Sequence, residues 1–254
     1  MTGRLAIVGL GPGAPALQTP DAAEALAAAT DLVGYGPYLD RVPARQGQRR
    51  HPSDNREELE RARHALSLAA AGRDVALVSS GDAGVFAMAS AVFEAIDEGD
   101  PTWRRLDVEV IPGISAMFAV AARIGAPLGH DFCAISLSDN LKPWDTVVRR
   151  LTAAAQAGFV IALYNPASKA RPRQLGDALA ILRRFLPADT PVVFATAVTQ
   201  PDERIDIVAL GAADPNRADM RTLVMVGSAA TRRIERPGAA PWIYTPRSER
   251  TVAR

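Results

Sequence analysis

Four short loops hold the residues best placed to do chemistry, and each follows an apolar run that reads as a buried β-strand. The first, Gly9-Leu10-Gly11-Pro12-Gly13, closes a run over 4–10. The second, Ser79-Ser80-Gly81-Asp82-Ala83-Gly84, follows 75–79 and sets a carboxylate between glycines. Asp82 there either sits in an exposed turn or accepts hydrogen bonds in a backbone-lined pocket. The third, Pro112-Gly113-Ile114-Ser115-Ala116, follows 108–111, and its Ser115 either caps the next helix or meets a ligand. The fourth, Tyr164-Asn165-Pro166-Ala167-Ser168-Lys169-Ala170-Arg171, is dense in hydrogen-bonding groups and cations and is stiffened by Pro166. Open α/β sheets take their ligands in such loops, at the carboxyl ends of strands.

Several other chemistries lack the spacing they need. The Gly9–Gly13 turn departs from the G-x-G-x-x-G dinucleotide fingerprint: its third glycine comes one residue early, and Pro12 removes a phosphate-facing N–H. Asp31 does follow at about the separation of a ribose-binding acid, so a dinucleotide oxidoreductase stands as a rival, beside a plain tight turn. No G-x-x-x-x-G-K-[ST] run supports a P-loop, and no serine sits in a G-x-S-x-G elbow. His51, His64 and His130 are dispersed without zinc spacing, and His64 reads as part of a solvated helix face. The lone Cys133 excludes a disulfide framework and a Cys-rich zinc site, so no metal is expected.

The elements that must position these loops alternate strand and helix from end to end. Thr19-Pro20-Asp21 starts a helix over 20–29, a short strand follows at 31–33, and Ser53 is expected to cap the next helix. Leu59, Ala62, Leu66 and Ala69 recur there at helical spacing. Further helices are expected over 85–96, 144–157 and 173–185, and strands over 132–137, 159–164, 192–197, 205–210 and 223–226. Gly125-Ala126-Pro127-Leu128-Gly129 is the best linker, and from Thr231 onward Arg, Pro and Ser predict a loosely ordered tail. The expected organisation is an N-terminal α/β domain over 1–112, a C-terminal α/β domain with a mixed sheet over 113–245, and a flexible tail over 246–254.

Composition agrees. With 254 residues, 48% of them apolar, the chain buries a core without disulfides or metals. Twenty-nine basic against 28 acidic side chains give a net charge of +1, which argues against nucleic acid or an acidic membrane as partner. The apolar start over 5–10 is too short for a signal peptide, and no run approaches the ~20 residues of a spanning helix. A soluble, cytoplasmic protein is expected.

In order along the chain, Val8-Gly9-Leu10-Gly11-Pro12-Gly13, Gly81-Asp82-Ala83-Gly84-Val85-Phe86, Pro112-Gly113-Ile114-Ser115-Ala116 and Thr199-Gln200-Pro201-Asp202-Glu203 resemble the tetrapyrrole methyltransferases of cobalamin and siroheme synthesis. Gly34-Tyr35-Gly36-Pro37-Tyr38, the Tyr164–Arg171 loop and Trp242-Ile243-Tyr244-Thr245-Pro246-Arg247 are similar to the branch that methylates precorrin-3B at C17 and contracts the ring to precorrin-4. The resemblance implies two unequal α/β domains with a ligand cleft between them, the class III arrangement rather than a Rossmann methyltransferase. It implies S-adenosylmethionine as donor, S-adenosylhomocysteine as product, and a homodimer. By the same resemblance Pro12, Gly81, Asp82, Ala83, Phe86, Ser115, Ala116, Asn165, Val198 and Gly227 contact the donor. The family commonly carries Gly-Asp-Pro followed by Tyr; Ala83 and Phe86 stand here, so backbone contacts survive and a tyrosine hydroxyl contact does not.

A sulfonium donor is already activated, so methyl transfer needs alignment more than a metal or a nucleophile. Ring contraction, in which the meso carbon leaves as an acetyl group, needs proton transfers. Asp82, Tyr35, Asn165 and Lys169 are the candidates. The substrate's carboxylates fit Lys169, Arg171 and Arg173, since guanidinium grips carboxylate with two hydrogen bonds. The rivals are the cobalt-containing C17 counterpart, a methyltransferase acting at C2, C11 or C20, an rRNA- or diphthine-directed relative, and a non-catalytic donor- or tetrapyrrole-binding protein.

Overall fold

Leu5, Ala6, Ile7 and Val8 are all buried, so this strand meets packing on both faces, as an interior strand of a parallel sheet must. It is β1 (Arg4–Gly9) of the first of two units, Met1–Ala116 and Met117–Arg254. The computed structural model describes residues 3–55, 57–168 and 170–248.

Unit 1 continues through α1 (Pro20–Ala28), β2 (Asp31–Tyr35), α2 (Gly36–Leu39), β3 (Arg49–Ser53), α3 (Glu58–Ala70), β4 (Val75–Ser79), α4 (Met88–Glu98) and β5 (Asp107–Ile111). Its five strands are parallel, in the order β3-β2-β4-β1-β5. Alternation along β1 divides the core. Leu5 and Ile7 pack with Leu66 and Val92 of α3 and α4, while Ala6 and Val8 pack with Ala22 and Leu26 of α1. Helices therefore cover both faces, and every strand's carboxyl end lies along one edge.

Helix α5 (Ala116–Ile124) leads into unit 2: β6 (Gly125–Ala126), β7 (Phe132–Ser136), α6 (Trp144–Gln156), β8 (Val160–Tyr164), α7 (Gln174–Leu182), β9 (Pro191–Thr196), β10 (Arg204–Ala209), β11 (Thr222–Val226), β12 (Arg232–Arg236) and β13 (Ala239–Tyr244). Its main sheet, ordered β10-β9-β11-β8-β7, is mixed: β7 and β8 are parallel, and β11 runs antiparallel to β8 and β9. Leu151, Ile161, Leu175, Leu179, Phe194 and Val224 form its core. No described helix is long and apolar enough to cross a membrane.

Three expectations need correction, and one strand was not expected. Ser53 caps no helix; it ends β3, where its hydroxyl accepts from Arg61 Nε at 2.6 Å, and α3 opens at Glu58. No apolar pattern marks β3, whose Arg49, Arg50, His51 and Pro52 are polar or imino. Those residues suit an edge strand, where a missing N–H faces no partner. Helix α4 begins at Met88 rather than near 85, because Phe86 takes φ 52° and Ala87 is extended. The segment after Thr231 is a hairpin, not a loose tail: β12 and β13 turn at Pro237-Gly238, Gly238 has φ 70°, and β13 adds β6 as a parallel third strand. Of the expected tail, residues 249–254 lie outside the described residues.

Asp31 is fully buried at the amino end of β2, bound by Arg73 Nε at 2.7 Å, Thr30 Oγ1 at 2.8 Å and His51 Nε2 at 2.9 Å. Burial pulls its carboxyl upward, but those hydrogen bonds outweigh it and hold the pKa at about 2. Asp31 stands at the opposite edge of the sheet from Gly9–Gly13, with both oxygens already engaged within the unit, so the dinucleotide reading loses its acid. His64 is exposed, as expected, yet its Nε2 lies 3.1 Å from His51 Nδ1.

Candidate functional site

In unit 1 the carboxyl edge of the sheet gathers the first three loops. Gly9 registers with Ser79 and Val8 with Ile111, so the chain leaves β1, β4 and β5 side by side. Main-chain hydrogen bonds join the first two: Gly11 N–H donates to Gly81 O at 3.0 Å, and Gly81 N–H returns to Gly11 O at 2.9 Å. Asp82 joins the second to the third. Its Oδ1 accepts from Gly84 N at 2.8 Å and its Oδ2 from Gly113 N at 3.0 Å. Asp82 is thus neither a solvated turn nor an unengaged carboxylate; it ties a loop to another about 30 residues along the chain.

The approach of these loops leaves no room for side chains at two positions. A Cβ on Gly9 would stand 2.7 Å from Gly113 N and 2.8 Å from Gly81 O. One on Gly113 would stand 2.2 Å from Gly81 O.

Around this junction lie Pro12, which is buried, Gly81 and Asp82, both half-buried, and Ser115, only 2% exposed before α5. Ala83 turns its methyl into the unit's core, so only its main chain can face a ligand. Ala116 is half-buried as the first residue of α5. Phe86 is half exposed while its backbone sits at φ 52°, a strained conformation for an aromatic residue. Tyr35 ends β2 at the same edge and packs edge-on against Tyr38, with ring centroids 5.2 Å apart. Burial pushes the Tyr38 phenol up despite the nearby Arg41.

In unit 2, Asn165 follows β8 with φ 53°; its side-chain amide donates to Ser136 Oγ at 2.9 Å, and its carbonyl accepts from Arg171 Nη1 at 3.1 Å. Val198 is buried after β9, between Ala197 at φ 51° and Thr199 at φ 68°. The Thr199–Glu203 turn is closed by Glu203, which accepts from Thr199 N and from Arg123 Nε, while Arg221 holds Gln200 and Asp202. Every described non-glycine residue with positive φ, namely Phe86, Asn165, Ala197 and Thr199, therefore lies at or beside a predicted donor position. Strain of this kind collects at ligand sites.

Gly227 is not brought together with Asn165 and Val198. Strand β11 is antiparallel to β8 and β9, so Gly227 lies at the far end of the sheet, donating to Pro191 O at the start of β9. The first residue of β11 faces the site-bearing end instead: Thr222 registers with Thr196, their hydroxyls 2.8 Å apart. Arg173 is exposed just before α7, and Lys169 lies outside the described residues. Ser168 Oγ is buried with no hydrogen-bond partner among the described residues. Cys133 is half-buried, and burial raises its thiol to about 11, so no thiolate stands ready at neutral pH.

Sequence reasoning missed Arg41, Ser136, Arg221 and Thr222, which hold the loops without belonging to them. Ser136 and Thr222 arrive by strand register, Arg41 and Arg221 from turns beside α2 and β11, and no local spacing signals any of them.

The family model described as "Tetrapyrrole (Corrin/Porphyrin) Methylases" matches residues 4–214. A precorrin-3B C(17)-methyltransferase of Sinorhizobium sp is 61% identical over 247 residues, covering 97% of each chain. The crystal structure of a methyltransferase called CobJ superposes with a TM-score of 0.92 at 53% identity, covering 96% of this chain and all of that one. A uroporphyrin-III C-methyl transferase from Thermus thermophilus, complexed with S-adenyl homocysteine, shares the fold at a TM-score of 0.66 and 22% identity, over 89% of this chain and 98% of that one.

Proposed function

Because the chain belongs to the tetrapyrrole (corrin/porphyrin) methylases, we propose that it methylates precorrin-3B at C17 with S-adenosylmethionine and contracts the ring to precorrin-4 in cobalamin biosynthesis. The observation that carries this reading is the 61% identity, over 97% of each chain, to a relative named for that activity. The same relative favours the metal-free substrate over its cobalt-containing counterpart. The homodimer implied by the resemblance and the cytoplasmic location expected from the sequence belong to the same proposal.

The residues suit the donor. Gly81, Ala83, Ser115 and Ala116 present main chain and small side chains around a fixed junction, Phe86 offers an exposed aromatic face, and Asp82 places negative charge beside it. In unit 2 Asn165 and Val198 remain as donor contacts, whereas Gly227 is set aside for its place on the sheet. When bound, S-adenosylmethionine supplies a methyl group already activated on a sulfonium. The protein's part is to fix positions, with dipoles already oriented before the reaction.

Proton handling narrows to few groups. Both Asp82 oxygens already accept a main-chain N–H, and the Asn165 amide is held on Ser136. Tyr35 Oη is the described candidate left to carry a proton during ring contraction. Replacing Tyr35 by Phe is expected to leave a product one methyl group heavier that keeps the uncontracted absorption spectrum; a contracted product removes Tyr35 from this role.

Substrate carboxylates are assigned to Arg173 and Lys169, with Arg171 partly committed to the Asn165 carbonyl. Exchange of Arg173 for Ala should raise the KM for the tetrapyrrole roughly 5-fold, the loss of one exposed charge-assisted contact, and leave the donor's Kd unchanged. An unchanged KM would place the carboxylates elsewhere.

The deciding experiment is mass spectrometry of precorrin-3B incubated with the protein and S-adenosylmethionine. A ring-contracted product one methyl group heavier supports the proposal. Donor binding without product moves the reading to the cobalt-containing substrate or to another ring position. Failure to bind the donor at all overturns it.

A further inference from the structure

Arg41 belongs to none of the matching motifs, yet its guanidinium reaches two of the three loops gathered at the carboxyl edge of unit 1. Nη1 donates to Ser80 Oγ at 2.9 Å. Nη2 donates to Gly11 O at 2.8 Å and Leu10 O at 3.2 Å. The side chain is half-buried, and among the described residues no carboxylate forms an ion pair with it. Withdrawal from water lowers its pKa from the usual arginine value, and Tyr38 opposes that shift.

A half-buried guanidinium without an anion is costly unless its hydrogen bonds are well placed. Here three of its bonds go to the segment just before Pro12 and to the residue before Gly81. Gly11 O also accepts from Gly81 N. One carbonyl is thus gripped by both the facing loop and Arg41, and its direction sets where Pro12 begins.

We propose that Arg41 is a positioning residue for the methyl donor: it fixes the Leu10–Pro12 turn against Ser80-Gly81 so that the donor-binding loops are held open and in register before the donor arrives. The inference rests on the donor reading given above. Asp82 does the corresponding work between the second and third loops, so the three loops are held by one cation and one anion, each bonded mainly to main chain.

A planar fork with several donors can serve three acceptors at once, and an ammonium on a flexible stem cannot do so in the same directions. Lysine should therefore not restore function although it keeps the charge. A small misplacement of a binding loop is expected to cost on the order of tenfold or more.

The test is titration calorimetry with S-adenosylhomocysteine on the full chain, together with steady-state kinetics, for the wild type, Arg41→Ala, Arg41→Lys, Ser80→Ala and Ser115→Leu. The expected result is a donor Kd raised at least 10-fold in both Arg41 variants and roughly 3-fold in Ser80→Ala. The donor's KM should rise in parallel, while the tetrapyrrole's KM and the unfolding midpoint without ligand stay near wild type. Should Arg41→Ala fail to fold, Arg41→Lys carries the same comparison with the stem packing retained. Donor affinity within twofold of wild type in the folded Arg41 variants overturns the inference. So does a rise in both KM values together, which would mark a general loosening. A wild type that does not bind donor overturns the underlying donor reading instead. Loss of binding in Ser115→Leu alone leaves that reading standing without Arg41.

Discussion

Gly113→Ala is expected to lower the stability of unit 1 by about 3 kcal/mol and to weaken S-adenosylhomocysteine binding roughly 100-fold. The added carbon would stand 2.2 Å from Gly81 O and 2.8 Å from both C and O of Gly9. All these atoms are main chain, Gly9 at the end of β1 and Gly81 in the loop bridged to Gly11, so no side chain can rotate away. Relief requires the third loop to move by a substantial part of an ångström, and that movement breaks the Gly113 N–H bond to Asp82. Gly36→Ala is the matched control, since its Cβ would meet nothing within 4 Å. Urea denaturation and titration calorimetry on both variants check the expectation. A Gly113→Ala protein that binds donor like wild type would show that the junction does not set the loop positions.

The second large effect concerns the opposite edge of the same sheet. Asp31→Asn removes the charge that Arg73 and His51 share and is expected to cost about 3 kcal/mol at pH 7, as when one partner of a buried pair is lost. The pH dependence has a definite sign. The Asp31 pKa is lowered in the folded state, from 3.8 to about 2, so the folded protein resists protonation more than the unfolded chain does. Its contribution, on the order of 2 kcal/mol, is therefore present above pH ~4 and disappears as the pH falls through about 2. Urea midpoints measured from pH 5 downward should fall more steeply for the wild type than for Asp31→Asn. Parallel curves would show that the ion pair contributes nothing net.

Much of unit 1 was legible because its strands are apolar on both faces and its loops carry glycine and proline. The run Val75–Ser79 has the predicted limits, and Thr19 caps α1 as its position before Pro20 implies. What escaped depends on pairings that no local pattern encodes. Strand β3 exists because β2 offers an open edge, not because Arg49 to Ser53 favour extension. The start of α4 is delayed by a left-handed Phe86, a conformation that only the surrounding loop can impose. The Asp82 carboxylate was visible, but its bond to Gly113 was not, and Arg41 carried no signal at all. The separation of Gly227 from Asn165 and Val198 has the same origin: the direction of β11 sends one end of the strand toward those two residues and the other away.

The C-terminal hairpin has a consequence in time. Thr245 Oγ1 donates to Pro127 O across a separation of 118 residues, and β13 pairs with β6, so the β6 segment has no strand partner until the hairpin exists. At ~5–20 residues per second of synthesis, the short β6 strand waits on the order of ten seconds for its neighbour. Unit 1 draws all five strands of its sheet from the first 111 residues and is free of that delay. On the ribosome the sheet of the first unit can be complete while the second unit is still being made.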